Sequence, residues 1–257
     1  MVTLVCPKCK SPLLQSNDGF RCPECQRGFS NNEFLLELDF PNLNIWNKLQ
    51  EHGILSYNVD PSNNLSVDYE RQDVAQFAKF CNLRGKILDI GCGPQPVPAY
   101  AYISLDSEYY GIDPIMNDTK YFNFFRAYCE ALPFADSSFD IVLFATSLDH
   151  LIDVNAALKE VYRVLKKNGR VFLWQGLKST SVLAKIVGYF REKNRKKHYF
   201  LSPESKPQSA ADLFHQKRFS DKEIMKLLDR FSFKLIRKKI FRKDITRYNL
   251  YYEFEKA

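Results

Sequence analysis

Four cysteines, two glycines and a few carboxylates carry the chemistry that this sequence can support. Cys6-Pro7-Lys8-Cys9 and Cys22-Pro23-Glu24-Cys25 are two C-x-x-C pairs with twelve residues between them. Each pair sets two thiolates on one tight turn, and two such turns complete a tetrahedral zinc site. Asn17-Asp18-Gly19 between them is a hairpin signal, which brings both turns to adjoining ends of a small ribbon. Disulfides or a redox dithiol are the competing uses of this spacing. Four thiolates on one ion leave no open position for catalysis, so the zinc is expected to be structural. A ribbon of about thirty residues cannot build an adequate core, so metal binding would supply folding free energy. Cys81, Cys92 and Cys129 stand alone and read as small, reduced packing residues.

The second constellation is Leu88-Asp89-Ile90-Gly91-Cys92-Gly93-Pro94, with Gly111-Ile112-Asp113 some way beyond it. Lys86 to Ile90 reads as a buried strand running into a glycine turn, and Tyr109 to Ile112 as a second strand ending on an acid. In an open parallel sheet a ligand sits outside the carboxyl ends of the strands, where the turn and Asp113 would both lie. Glycine at 91 and 93 lets a ligand touch the backbone where a Cβ would collide. A carboxylate at 113 can accept two hydrogen bonds from ribose hydroxyls, so an adenosine-containing ligand is expected. Pro96 stands where the dinucleotide fingerprint has its third glycine. Asp89 just before the turn would repel a pyrophosphate but suit the ammonium group of a methionine.

This segment resembles motif I of the class I S-adenosylmethionine-dependent methyltransferases, D-I-G-C-G-x-G, with Gln95 in place of the last glycine. Glu130-Ala131-Leu132-Pro133-Phe134, then Asp136-Ser137-Ser138-Phe139-Asp140-Ile141-Val142, is similar to a later run of that family. The resemblance covers roughly residues 70 to 176. It implies that Glu130, Ala131 and Leu132 flank adenine, and Tyr128 replaces the acid that often receives the adenine amino group. The expected fold is α/β, a Rossmann-like and mostly parallel sheet with its last strand antiparallel, beside a small N-terminal zinc ribbon. The implied cofactors are S-adenosyl-L-methionine and structural zinc.

The elements that must position these groups follow from periodicity. Residues 1–38 form the ribbon, 39–65 a connector docked by Trp46 and Leu49, and 66–257 the methyltransferase domain. A helix from Ser66 to about Asn82 carries Val74, Phe77, Ala78 and Cys81 on one face. Val154, Leu158, Val161 and Leu165 mark another helix, with Lys166 and Lys167 at its negative end and Gly169 as its left-handed stop. Arg170 to Trp174 reads as the next strand. Ser220 and Glu223 form a capping box, with Phe219 and Ile224 at staple positions. Ile224, Leu227, Leu228 and Phe231 face the core, and Phe233–Ile240 and Ile245–Phe254 close the sheet. Residues 177–218 intervene as a substrate-side insertion, apolar from Val182 to Phe190 and basic from Arg191 to His198.

A sulfonium is already an activated electrophile, so the protein need only align an acceptor and sometimes remove its proton. His150 and His215 are the candidate bases. Asn-Pro-Pro-Tyr and Asp-Pro-Pro-Tyr are missing after the fourth strand, where Thr146-Ser147-Leu148-Asp149 stands instead. This argues against methylation of exocyclic amines by the adenine-type mechanism. The resemblance is to the group around the ubiquinone and menaquinone methyltransferases. It implies a small-molecule or glycan acceptor, such as a sugar, glycolipid precursor or metabolite, methylated on oxygen. Bacterial ribosomal-RNA guanine methyltransferases also join a zinc finger to this fold, so RNA is the competing acceptor, with the basic run tracking phosphates. The same run could meet an anionic membrane surface, and a non-catalytic adenosylmethionine-binding scaffold is the third alternative. The net charge of +7 agrees with an anionic partner without naming one. No secretory leader or membrane-spanning run is seen, so a cytoplasmic location is expected.

Overall fold

The computed structural model describes residues 2–36, 43, 46–48, 50, 70–93, 96–101, 106–115, 121–190 and 219–257. His215, Leu49, Tyr102, Gln95, the basic run 191–198 and most of the connector lie outside the described residues.

The ribbon is a three-stranded antiparallel sheet of β1 (Leu14–Ser16), β2 (Gly19–Arg21) and β3 (Gly28–Phe29). Ser16 pairs with Gly19 around Asn17-Asp18, as the hairpin signal requires. Gly19 has φ +137°, and a Cβ there would lie 2.2 Å from the Phe29 carbonyl oxygen, so only glycine fits.

The main body is built on α1 (Gln72–Phe80), β4 (Lys86–Ile90), β5 (Glu108–Ile112), β6 (Asn123–Phe125), β7 (Phe139–Ala145), α2 (Val154–Val164) and β8 (Leu165–Lys178). After helix α3 (182–190) come α4 (Asp221–Arg230), β9 (Phe233–Arg242) and β10 (Arg247–Lys256). The seven strands run in the order β6-β5-β4-β7-β8-β10-β9. The β6-β5-β4-β7-β8 part is parallel, and β10 is antiparallel to both its neighbours.

Alternation along the strands sorts the core into two layers. Ile141 and Leu143 of β7 pack with Val74, Phe77 and Ala78 of α1 on one face. Val142 and Phe144 pack with Leu158 and Val161 of α2 and Ile224 and Leu228 of α4 on the other. Cys6, Cys22, Phe29 and Phe34 of the ribbon belong to that second cluster, so the ribbon shares the core of the α2 face. The capping box forms as expected, with Ser220 accepting from the Glu223 amide and the Glu223 carboxylate accepting from the Ser220 amide at 2.7 Å.

Two local expectations are corrected. Helix α1 begins at Gln72 and ends at Phe80, inside the predicted span, with Arg71 extended at its start. Helix α2 stops at Val164, and the left-handed residue beyond it is Asn168 (φ +60°), not Gly169. Gly169 serves close packing instead: a Cβ there would lie 2.9 Å from the Lys166 carbonyl oxygen. Lys166, two residues beyond Val164, sits in β8 and pairs with Asp140 at 2.8 Å.

Candidate functional site

The parallel register sets Ile90, the last residue of β4, beside Ile112, the last of β5. The chain then turns at Gly91 (φ +70°) and Gly93 (φ +74°), two left-handed positions that glycine occupies without strain. The Gly91 amide donates to the Ile112 carbonyl at 2.8 Å, which folds the bend over the end of β5. A Cβ on Gly91 would lie 2.7 Å from Ser147 Cβ, so the bare backbone also lets the β7 exit loop close in. Ser147 Oγ donates to the Ile90 carbonyl and fixes that approach.

Asp113 lies where β5 ends, and its two carboxylate oxygens are fixed separately. Oδ1 accepts the Ile115 amide at 3.0 Å, and Oδ2 accepts the Gly93 amide at 3.3 Å. The glycine bend and the acid are therefore in contact. The half-buried Asp113 can still offer lone pairs to a ligand's hydroxyls.

Asp89 is fully buried beneath the bend. Its Oδ2 accepts the hydroxyls of Tyr100 at 2.8 Å and Tyr109 at 2.6 Å. Burial, and then the Asp89 charge, push both phenols well above their ordinary range, so they remain protonated donors and not bases. The sequence alone did not pair either tyrosine with Asp89. A lone acid in an apolar strand is the signal that a buried partner must exist.

Cys129–Ala131 form a single 3-10 turn. Glu130 accepts the amides of Ile152 and Asp153 at 2.7 and 3.0 Å, so its side chain holds the start of α2. Burial raises the Glu130 carboxyl above its usual range, and these backbone donors partly offset it. Leu132 is fully buried. Its amide donates to Glu160 at 2.9 Å, and its carbonyl accepts from Arg163 at 3.2 Å. Burial acts to raise the Glu160 carboxyl, but hydrogen bonds from Arg163 and the charge of Lys10 win and hold it low. Glu160 sits on the buried stripe of α2, which marked it as a residue needing partners; sequence reading passed over it.

His150 ends a 3-10 turn, Leu148–His150, just past the carboxyl end of β7. Its Nε2 lies 3.8 Å from Asp149 Oδ1, and Gln175 Nε2 donates to Asp149 Oδ2 at 3.2 Å. The indole N–H of Trp46 donates to the His150 carbonyl at 2.6 Å, and its ring meets Tyr128 edge-on at 5.8 Å. Trp46 is thus buried against the turn that follows β7.

In the ribbon, the Sγ atoms of Cys6, Cys9, Cys22 and Cys25 all lie within 4.8 Å of one another. Cys6–Cys25 is 3.5 Å and Cys9–Cys22 3.4 Å. Tetrahedral zinc with Zn–S near 2.3 Å sets its sulfurs about 3.8 Å apart, so the donor set fits a soft tetrahedral cation.

Residues 88–173 match the model of a family described as a methyltransferase domain. These residues carry a methyltransferase domain. It is 42% identical over 62 residues to the ubiquinone/menaquinone biosynthesis C-methyltransferase UbiE of Geotalea daltonii, covering 24% of this chain and 26% of that protein. It is 32% identical over 105 residues to the uncharacterized methyltransferase YcgJ of Bacillus subtilis, covering 36% and 41%. The match thus spans less than half of either relative. The methyltransferase fold recurs in the 1,6-didemethyltoxoflavin-N1-methyltransferase of Burkholderia thailandensis, with a TM-score of 0.56, 13% identity, and 86% of this chain and 93% of that one covered. It recurs also in the [4+2]-cyclase SpnF, with a TM-score of 0.57, 11% identity, and 82% and 96% covered. That second likeness shows that the fold alone does not fix the chemistry. No helix among the described residues is long and apolar enough to cross a membrane.

Proposed function

We propose that this protein transfers a methyl group from S-adenosylmethionine to an oxygen of a small-molecule or glycan acceptor, with a structural zinc in its ribbon. The observation that carries the cofactor reading is the Gly93–Asp113 contact at the shared end of two parallel strands. When bound, the cofactor supplies a methyl group already activated on a sulfonium.

The chain's own residues do the rest. Gly91 and Gly93 present bare backbone to the ligand, and Asp113 receives the ribose hydroxyls. Ala131 and the turn around Glu130 and Leu132 back the adenine. Asp89, held by two phenols, supplies negative charge beneath the ammonium end. His150 at the rim takes a proton from the acceptor hydroxyl, and Asp149 on the adjacent residue stabilises the imidazolium that results. The printed names of the relatives carry C- and N-methyl transfer, so the oxygen acceptor rests on this His150–Asp149 pair alone.

The four thiolates leave no vacancy on a bound zinc, so the ion organises and does not react. Elemental analysis of the purified protein should find about one zinc per chain.

The deciding experiment supplies the protein with methyl-labelled cofactor and fractionated cell extract. Label entering soluble metabolites or glycan precursors supports the proposal. Label confined to RNA, or no binding of S-adenosylhomocysteine by calorimetry, overturns it.

A further inference from the structure

We infer that the cysteine ribbon forms a wall of the cofactor site, so that metal on its four cysteines and cofactor at Asp113 bind cooperatively, with Lys10 and Arg126 as the positioning residues that join them. This deepens the proposed cofactor reading and rests on it.

The ribbon meets the cofactor-site loops through three separate sets of contacts. Just before the ligand Cys6, Leu4 forms an antiparallel bridge with Phe134. The Val5 amide donates to Pro133 O at 3.0 Å, and the Ala135 amide donates to Thr3 O at 3.0 Å. The loop that follows Leu132 is thereby bridged to the ribbon's N-terminal segment.

Lys10 makes the second set, immediately after the ligand Cys9. Its backbone is left-handed (φ +64°), and its amide donates to the Cys6 carbonyl at 2.8 Å. That turn aims the side chain across to the main body. Lys10 Nζ pairs with Glu160 at 2.6 Å and donates to the Leu132 carbonyl at 3.4 Å. Glu160 in turn holds the Leu132 amide. Both backbone polar groups of Leu132 are therefore held by a network that ends on the metal knuckle.

The third set lies at the ribbon's other end. The Arg126 amide donates to Asn32 O at 2.7 Å, and the Phe34 amide donates to Arg126 O at 2.8 Å. Arg126 Nη1 lies 2.9 Å from both carboxylate oxygens of Glu33, while its Nη2 donates to the Pro114 carbonyl at 3.3 Å. Pro114 directly follows Asp113. One ribbon thus grips the acid loop and the loop after Glu130 from the same side.

The ribbon's own strands are three, three and two residues long. Elements so short cannot fix the two knuckles without a cross-link, and the four-thiolate ion is that cross-link. With the ion in place, Lys10 and Glu33 are held where Leu132 and Pro114 need them, and the ligand binds loops that are already ordered. Without it, the ligand must order both loops and the knuckles together, which weakens binding. Linkage makes the effect mutual: the cofactor must tighten the metal by the same factor.

The test measures S-adenosylhomocysteine affinity by calorimetry on the full chain, zinc-loaded and chelator-stripped under reducing conditions. Stripping should weaken binding about tenfold, and added zinc should restore it. Chelator competition should show zinc held about tenfold more tightly when S-adenosylhomocysteine is saturating. Because stripping can unfold the ribbon, Lys10→Met provides the independent arm: it should keep its zinc yet bind S-adenosylhomocysteine several-fold more weakly. Equal affinity in loaded and stripped protein, or wild-type affinity in zinc-bearing Lys10→Met, overturns the coupling. Loaded wild-type protein that binds no S-adenosylhomocysteine at all removes the cofactor reading itself, and the coupling with it.

Discussion

The Gly93 amide donates to Asp113 Oδ2 across 3.3 Å, joining two residues that lie twenty positions apart in the chain. This contact ties two loops together, because the acid caps the bend that it faces. Asp113→Ala should weaken S-adenosylhomocysteine binding by roughly 1.5–3 kcal/mol, through lost charged hydrogen bonds. Calorimetry reads this directly, and unchanged affinity would show that Asp113 does not receive the ribose.

Gly91→Ala introduces a side chain at φ +70° and within 2.7 Å of Ser147 Cβ, an atom that no rotamer change can move. Left-handed strain and overpacking together should cost about 2–4 kcal/mol. At roughly 2–4 °C per kcal/mol for a chain of this size, thermal melting should fall by about 5–15 °C. Ser147→Gly in the same chain should recover the steric share only. A melting temperature equal to wild type would mean that the bend is looser than described.

Asp73 of α1 is nearly buried, and receives Arg71 at 2.8 Å and Lys243 at 2.7 Å. Burial acts to raise its carboxyl, but the two cations outweigh that and hold it at about 2. The unfolded value is near 3.9, so the native state favours the charged form by roughly 2 kcal/mol. That stability is complete above about pH 4 and is lost as pH falls through about 2. Asp73→Asn should therefore lag wild type by roughly 2 kcal/mol in denaturant unfolding at pH 7, with the gap closing below about pH 4. A gap that stays constant across this range would mean that the carboxylate charge is not its source.

His150→Gln removes the proposed base while keeping the carbonyl that Trp46 holds. Methyl transfer to a hydroxyl acceptor should slow by about 10²–10⁴-fold. Affinity for S-adenosylhomocysteine and zinc content should stay unchanged. Full activity would reduce His150 to an anchor for Trp46.

Much of the cofactor half was legible in the chain, because local chemistry dictates it. The apolar run Lys86-Ile87-Leu88-Asp89-Ile90 forms β4 at the predicted bounds, and the Ser220–Glu223 box starts α4. Gly91, Gly93 and Asp113 come together as the parallel-sheet geometry requires. The end of α2 was misjudged, since Asn168 and Gly169 compete for a left-handed position and only packing decides between them. The tyrosines on Asp89 and the Lys10–Glu160 pair were beyond reach for another reason. Lys10 and Glu160 are 150 positions apart, and no periodicity encodes which buried acid meets which distant donor.

Trp46 has one more consequence. The chain has two tryptophans, both buried: Trp174 lies between Phe77 and Tyr251, while Trp46 bridges His150 and Tyr128. The molecule thereby carries two intrinsic fluorophores with different duties. One indole reports whether the interior is assembled, and the other whether the segment around Trp46 has seated against His150 and Tyr128, without any added dye.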